Sequence, residues 1–164
     1  MGRVAIYPGS FDPITYGHID LVKRATNIFD KVIVAVARNR HKKPLFSVDE
    51  RLDMVRQALS GIEKAEKLEV ETFDGLAVEY ARGKKAKVLI RGLRMISDFE
   101  YEFRMALTNR RLAQDVETVF LMPSEQYSFI SSSLLKEAIA QGADLSTFIP
   151  PHVAKRLKEK VVPS

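Results

Sequence analysis

Val4-Ala5-Ile6-Tyr7-Pro8-Gly9-Ser10-Phe11-Asp12-Pro13-Ile14-Thr15-Tyr16-Gly17-His18 is the stretch whose reading decides the fold. Its first four residues form a short apolar run of the kind a strand buried on both faces requires. Pro8, Gly9, Ser10, Asp12 and Pro13 then punctuate the chain as a turn. Beyond Gly17, His18, Leu21, Val22, Ala25, Ile28 and Phe29 recur at spacings of three and four, which predicts a helix over 17–29. The unit is strand, loop, helix.

Working outward, the same unit repeats without an internal repeat in sequence, a low-complexity tract or a linker. Val32 to Ala37 is the longest unbroken apolar run and reads as a second strand. Ser47-Val48-Asp49-Glu50 is a capping box opening a helix that ends near Gly61. Leu68 to Phe73 alternates as a strand, and Leu76 to Arg82 reads as a helix stopping at Gly83. Val88-Leu89-Ile90 is a fourth strand. Ser97-Asp98-Phe99-Glu100 reads as a second capping box, for a helix reaching about Ala113. Val119-Phe120-Leu121 is a fifth strand, Ser131 or Ser132 caps a helix ending before Gly142, and Pro151 starts a last helix. Five alternations of strand and helix predict an α/β fold: a Rossmann-like, doubly wound, five-stranded parallel sheet with helices on both faces, forming a single domain over residues 1–164. In the order 3-2-1-4-5 its switch point falls between the first and fourth strands. Ligands of such sheets bind there, beyond the carboxyl ends of the strands. Chemistry should therefore gather after Tyr7 and after Ile90, and it does: the first strand runs into the Pro8–His18 loop, the fourth into Arg91-Gly92-Leu93-Arg94.

Composition narrows the class. The 164 residues are 46% hydrophobic and 29% charged, with no Cys, which excludes disulfides, thiolate metal sites and cysteine nucleophiles. Three histidines (His18, His41, His152) without cysteine argue against a structural zinc site. A six-residue apolar run is far short of the roughly 20 a spanning helix needs. The N-terminal run is too short for a secretory signal, and Ile6 does not fit a myristoylation motif. The expectation is a cytoplasmic protein without membrane association. The net charge of +5 points to anionic partners. The cations form two groups: Arg38, Arg40, Lys42 and Lys43, and Arg82, Lys84, Lys85, Lys87, Arg91 and Arg94. A solvated face is the ordinary reading of such runs.

Four elements can bind phosphate. Gly9 and Ser10 suit backbone contact with an anion, and the helix start at Gly17-His18 aims unpaired N–H groups the same way. His18 could be a hydrogen-bonded core residue, but its place at that helix start favours function. Arg91 and Arg94 offer guanidinium forks that match phosphate oxygens in pairs, although either could instead be a surface arginine paired with Glu100 or Glu102. Lys42, just past the second strand, can swing over a substrate phosphate or remain an exposed basic residue. Ser131-Ser132-Ser133 combine hydroxyls with a helix first turn, with Phe129 and Ile130 packing beneath the loop. No nucleophile with a matched base is evident, and no Gly-x-x-x-x-Gly-Lys-Ser/Thr loop is present. Phosphoryl or nucleotidyl transfer needs neither when the second substrate supplies the attacking oxygen.

Thr15-Tyr16-Gly17-His18 is similar to the T/H-x-G-H motif of the nucleotidyltransferase superfamily. Together with Tyr7 to Thr15, Leu89 to Arg94, Asp98-Phe99-Glu100-Tyr101-Glu102, Phe120-Leu121-Met122-Pro123 and Ser128 to Ser133, nearly the whole chain resembles the phosphopantetheine adenylyltransferase family of bacteria. The resemblance implies transfer of the adenylyl group of ATP to 4′-phosphopantetheine with release of pyrophosphate, Mg2+ as cofactor, and a homohexamer built as a dimer of trimers. It implies His18, Lys42 and Arg91 as catalytic residues. It implies Ser10, Phe11, His18, Gly92, Leu93, Arg94, Glu102, Tyr127, Ser128, Phe129, Ile130, Ser131, Ser132 and Ser133 around ATP. Ser10, Lys42, Ala77 and Arg91 would contact the pantetheine substrate, and no direct metal ligand is assigned. Three positions depart from the usual pattern: Ser10 stands where Thr is common, Tyr127 where Trp is common, and Ala77 where larger residues occur. Competing readings are a sister adenylyl- or cytidylyltransferase with another acceptor, a nucleic-acid-binding domain, and a non-catalytic nucleotide sensor. The absence of a helix-turn-helix or strand-borne stacking motif argues against nucleic acid, and His18 argues against the sensor.

Overall fold

The computed structural model describes residues 2–161. In chain order its elements are β1 (Val4–Gly9), α1 (Tyr16–Ile28), β2 (Lys31–Ala37), α2 (Val48–Leu59), β3 (Leu68–Phe73), α3 (Ala77–Gly83), β4 (Val88–Gly92), α4 (Ile96–Leu112), β5 (Glu117–Leu121), α5 (Ser132–Ala140) and α6 (Pro151–Val161). All sheet pairings are parallel and the order is β3-β2-β1-β4-β5. The switch point predicted between β1 and β4 is therefore present.

The two central strands explain the sheet. Ala5 to Pro8 and Val32 to Val36 are buried on both sides, as a strand covered by helices on each face must be. Alternate residues divide between two cores. Ala5, Tyr7, Val32, Val34 and Val36 pack with α1, α2, α5 and α6. Ile6, Ile33, Ala35 and Leu89 pack with α3 and the end of α4. β1 continues past its apolar run, because Pro8 and Gly9 lie in register with Ala35 and Val36 of β2. That extension carries the following loop to the edge of the sheet.

The first helix caps are as the sequence predicts at Ser47, whose Oγ accepts from the Glu50 N–H while the Glu50 carboxylate accepts from the Ser47 N–H at 2.7 Å. Ser131, not Ser132, caps α5. The second predicted capping box requires correction. α4 begins one residue before Ser97, with Met95 as its N-cap and Asp98 as its third residue. The Asp98 carboxylate reaches back to the Met95 and Arg94 N–H groups, each at 3.4 Å. The acidic residue two positions earlier does the work expected of Glu100, which is exposed and pairs with Arg104 instead.

Most of α4 is not part of either core. Glu102 is its only buried residue, while Phe99, Phe103 and Leu107 are exposed along it.

Candidate active site

The ends of β1 and β4 open into one cavity of about 760 Å3, and the β2, β3 and β5 loops complete its walls. The Pro8–His18 and Arg91–Arg94 segments, distant in sequence, are facing walls of this single cleft. His18 lines it and is half-buried, so its ring is open to the space between those walls.

Local sequence positions that ring. Thr15 is the N-cap of α1 and its Oγ1 accepts from the His18 N–H at 3.3 Å. In return the Thr15 N–H donates to Nδ1 of His18 at 3.0 Å. This is a capping box with histidine in the place of the usual Glu or Gln. Because Nδ1 accepts, the neutral ring carries its proton on Nε2. The Phe11 ring lies edge-on to the imidazole with centroids 5.0 Å apart, and Tyr7 lies edge-on to Phe11 at 5.4 Å. Phe11 takes a left-handed backbone (φ 48°) to fold back this way, and its ring crosses Gly9 so closely that a Cβ there would sit 3.0 Å from it. Burial, then the positive charges of Arg94 and Arg91, lower the His18 pKa to about 4. In the free protein His18 is a neutral N–H donor at pH 7.

On the β2 side, Lys42 is exposed and lines the cavity, as does Ser10. The Ser10 hydroxyl accepts from the side-chain amide of Asn39 at 2.6 Å, which leaves its own O–H to donate elsewhere. Ala77, at the start of α3, lines the same end. Arg40, the neighbouring cation, is engaged by Asp74 at 2.5 Å.

Arg91 is the penultimate residue of β4 and is half-buried. Its Nε and Nη2 donate to the two Glu102 oxygens at 3.0 and 2.7 Å, and Nη1 donates to the Pro8 carbonyl at 3.2 Å. The carboxylate partner considered from sequence is thus real, and it is Glu102. This two-point clamp holds the guanidinium in the cleft. Burial opposes the Arg91 charge, but the hydrogen bonds and charge of Glu102 outweigh it and leave its pKa raised. Gly92 follows because α1 passes directly over it: a Cβ would lie 2.5 Å from Leu21 Cδ1. Arg94 spans to the opposite loop, with Nη1 donating to the Ile130 carbonyl at 2.6 Å and Nε near Asp98 at 3.4 Å. It thereby joins the β4 loop to the N-terminus of α5. There, Ser131 caps the helix through the Leu134 N–H, and Ser132 donates to the Pro13 carbonyl at 2.9 Å. Ser133 is exposed at the cavity.

Of the residues anticipated around the site, Ser10, Phe11, His18, Lys42, Ala77, Arg91, Gly92, Arg94, Glu102, Tyr127, Ile130, Ser131, Ser132 and Ser133 line the cavity, whereas Leu93, Ser128 and Phe129 do not. Ile130 is buried under the loop as expected. Phe129 is mostly exposed, edge-on to Phe148, rather than packed beneath it. Lys87 and Arg82 pair with Asp115, and Lys84 with Glu71, so that part of the basic cluster is a solvated surface.

Sequence reasoning passed over three residues that build the site. Asp12, nearly buried, accepts from the N–H groups of Leu45 and Phe46 at 2.8 and 2.9 Å and pairs with Lys136 at 3.3 Å. Asn39 fixes Ser10, and Arg51 lies wholly buried beneath the Ser10 turn. Only Asp12 stood in a stretch read as functional. The others gave no signal, since a lone Arg on a helix and an Asn in a loop are common.

The arrangement is a cleft lined with N–H and cationic donors and no unengaged carboxylate among Asp12, Asp98 and Glu102, suited to two phosphate-bearing molecules. A model of the cytidylyltransferase-like family matches residues 6–138. The chain is 56% identical over 96% of its length to phosphopantetheine adenylyltransferase of Caldanaerobacter subterraneus subsp. tengcongensis, covering 97% of that protein. It is 52% identical over 97% of its length to phosphopantetheine adenylyltransferase of Desulfosudis oleivorans, covering 93% of it. In fold it matches the Plasmodium falciparum nicotinic acid mononucleotide adenylyltransferase complexed with NaAD, with a TM-score of 0.72 at 19% identity over 94% of each chain. With near-complete coverage at more than half identity, and with the switch-point cleft in place, the chain belongs to the phosphopantetheine adenylyltransferase family, within the cytidylyltransferase-like nucleotidyltransferases.

Proposed function

We infer that the protein is a nucleotidyltransferase that moves the adenylyl group of ATP onto 4′-phosphopantetheine, giving dephospho-coenzyme A and pyrophosphate, the penultimate step of coenzyme A synthesis. The observation that carries the reading is the single cleft in which the His18 Nε2–H, Lys42, Arg91 and Arg94 face a common space. The reaction runs by direct in-line attack, without a covalent enzyme intermediate. The acceptor phosphate is already anionic near neutral pH, so no general base is required. One of its oxygens bonds to the α-phosphorus of ATP, and the bond from that phosphorus to pyrophosphate breaks. Lys42, the Ser10 O–H and Arg91 hold the acceptor phosphate and offset the repulsion between two anions. The His18 Nε2–H donates to the α-phosphate as charge shifts onto its oxygens. Arg94 and the α5 N-terminus, with the Tyr127–Ser133 loop, hold the nucleotide and the leaving pyrophosphate.

Mg2+ fits this site as part of the ATP complex. Among the described residues no group of three or more His, Asp or Glu is placed to hold a metal, and the cleft carboxylates are engaged by Arg91, Arg94 and Lys136. A cation that keeps most of its waters and rides on substrate phosphates suits such a donor set. When bound it neutralises phosphate charge. The protein works in the cytoplasm as one domain; among the described residues no helix is long and apolar enough to cross a membrane. It assembles as a homohexamer, a dimer of trimers. The exposed apolar side chains of Phe99, Phe103 and Leu107 on α4 support burial of that helix against other copies.

The test is one assay of purified protein with ATP, Mg2+ and phosphopantetheine, reading pyrophosphate. Release that depends on phosphopantetheine is expected. Faster release with nicotinamide mononucleotide in its place would overturn the acceptor assignment. Sedimentation of the same sample reads the oligomer, with six-fold mass expected.

A further inference from the structure

We propose that Arg51 is a positioning residue for the acceptor side of the reaction, acting through the loop that carries Lys42 and through the turn that carries Ser10. The inference rests on the assignment of Lys42 and Ser10 to the acceptor phosphate.

Arg51 stands in the first turn of α2 and is completely buried. A guanidinium in a core is stable only when its hydrogen bonds are made. Its Nε donates to the Phe46 carbonyl at 3.1 Å, and Nη1 donates to the Ser10 and Ala37 carbonyls at 2.8 and 2.7 Å. The choice of carbonyls is informative. Ala37 is the last residue of β2, and Phe46 is where the chain returns ahead of α2. Residues 38–45, with Lys42 among them, leave and re-enter the fold through one planar group. The third carbonyl belongs to Ser10 in the neighbouring loop, so the same group sets the spacing between the two acceptor-side elements.

Two further contacts converge on this junction. Asp12 takes the N–H groups of Leu45 and Phe46, so amides and carbonyls at the loop's return are held by opposite charges. Asn39, in a left-handed conformation (φ 52°), reaches from the loop to the Ser10 hydroxyl. Against this, Nη2 of Arg51 is buried with no partner among the described residues. An orphaned buried donor is costly, and an apolar side chain of similar volume would fill the space without it. An apolar side chain could not hold three carbonyl oxygens in fixed relation. A lysine could not either, since its single ammonium lacks the planar fork. The geometry is explained by what Arg51 orders rather than by what it adds to core stability.

The experiment is a double-mutant cycle on the full chain with ATP, Mg2+ and phosphopantetheine, using Arg51→Lys and Arg51→Met with and without Lys42→Ala. Arg51→Lys should raise the KM for phosphopantetheine about tenfold or more while the KM for ATP moves less than about twofold. In the Lys42→Ala background the same change should add clearly less than it does in the native background, because Lys42, one of the two groups it positions, is gone. Equal effects on the two KM values, or full additivity, would overturn the inference and leave the Lys42 assignment standing. A Lys42→Ala enzyme with unchanged acceptor KM would overturn both. If neither Arg51 variant gives a cooperative melting transition, Arg51 is a folding residue and the inference falls.

Discussion

The backbone N–H of Thr15 donates to Nδ1 of His18 at 3.0 Å, and the Thr15 hydroxyl accepts from the His18 N–H. The contact that starts α1 is thus the contact that orients the imidazole in the cleft. Helix capping satisfies two orphan amides, and here it also leaves Nε2 as the proton-bearing atom facing the cleft. With Phe11 against its face, the ring has little freedom to leave that orientation.

His18→Ala should lower kcat by about 10²–10³, the usual loss for one donor to a charge developing in the transition state. The KM for ATP should change only modestly if, as proposed, Arg94 and the α5 N-terminus hold the nucleotide. Steady-state kinetics with both substrates varied reads the two effects separately. Near-normal turnover would remove His18 from the mechanism.

The lowered pKa of His18 has a consequence for stability. The unfolded chain takes up this proton near the ordinary value of 6.5, whereas the folded chain does so only near 4. Between those values the unfolded state binds more protons, so stability falls as pH drops from 6.5 towards 4 and is unaffected by this group above 6.5. His18→Gln should therefore flatten the decline of Tm in that window. An unchanged slope in a melting series from pH 4 to 7 would show that another group carries it.

Glu102→Gln keeps the shape of the side chain but removes the charge that clamps Arg91. Loss of a charge-assisted, mostly buried pair costs about 1–3 kcal/mol. That corresponds to a fall in Tm of about 2–4 °C per kcal/mol for a chain of this size. Turnover should fall with it, because Arg91 is then free to leave the cleft. If Glu102 acts through Arg91, its removal should cost little further activity in an Arg91→Ala enzyme, which kinetics of the double variant measures.

Gly92→Ala tests the crossing of α1 over β4. A Cβ placed 2.5 Å from Leu21 Cδ1 forces one element to move, and Leu21 is itself buried. Overpacking of this kind costs about 1–3 kcal/mol. Leu21→Ala should relieve it, so the double variant should melt closer to the Leu21→Ala single variant than additivity allows.

The elements of the fold were legible in the chain, and so was the place of the cleft. Apolar runs of strand length, helical spacings and Gly or Pro boundaries are local signals, and the alternation of strand and helix leaves few topologies. The misplaced start of α4 shows the limit of local reading. Ser97-x-x-Glu100 has the letters of a capping box, yet Asp98 lies close enough to the Arg94 and Met95 amides to start the helix earlier.

The roles of the charged residues were less legible, for a physical reason. Arg91 could be read as a phosphate ligand or as half of an ion pair, and Glu102, eleven residues on, shows that it is held as such a half. Arg51 and Asn39 carried no signal at all, because what they bond are backbone atoms brought near by the sheet.

What the sequence alone determined is the set of local conformations and, through them, a parallel sheet with its switch point between β1 and β4. The family resemblance already singled out His18, Lys42 and Arg91. What only the tertiary structure decided is how those groups are held: the Nε2 proton of His18, the Glu102 clamp, and the burial of Arg51 under the Ser10 and Lys42 loops. The division follows from range. Strand, turn and helix signals are written within a few residues, whereas hydrogen bonds spanning 33 to 41 positions, such as Asp12 to Leu45 or Arg51 to Ser10, exist only once the sheet has brought the loops together.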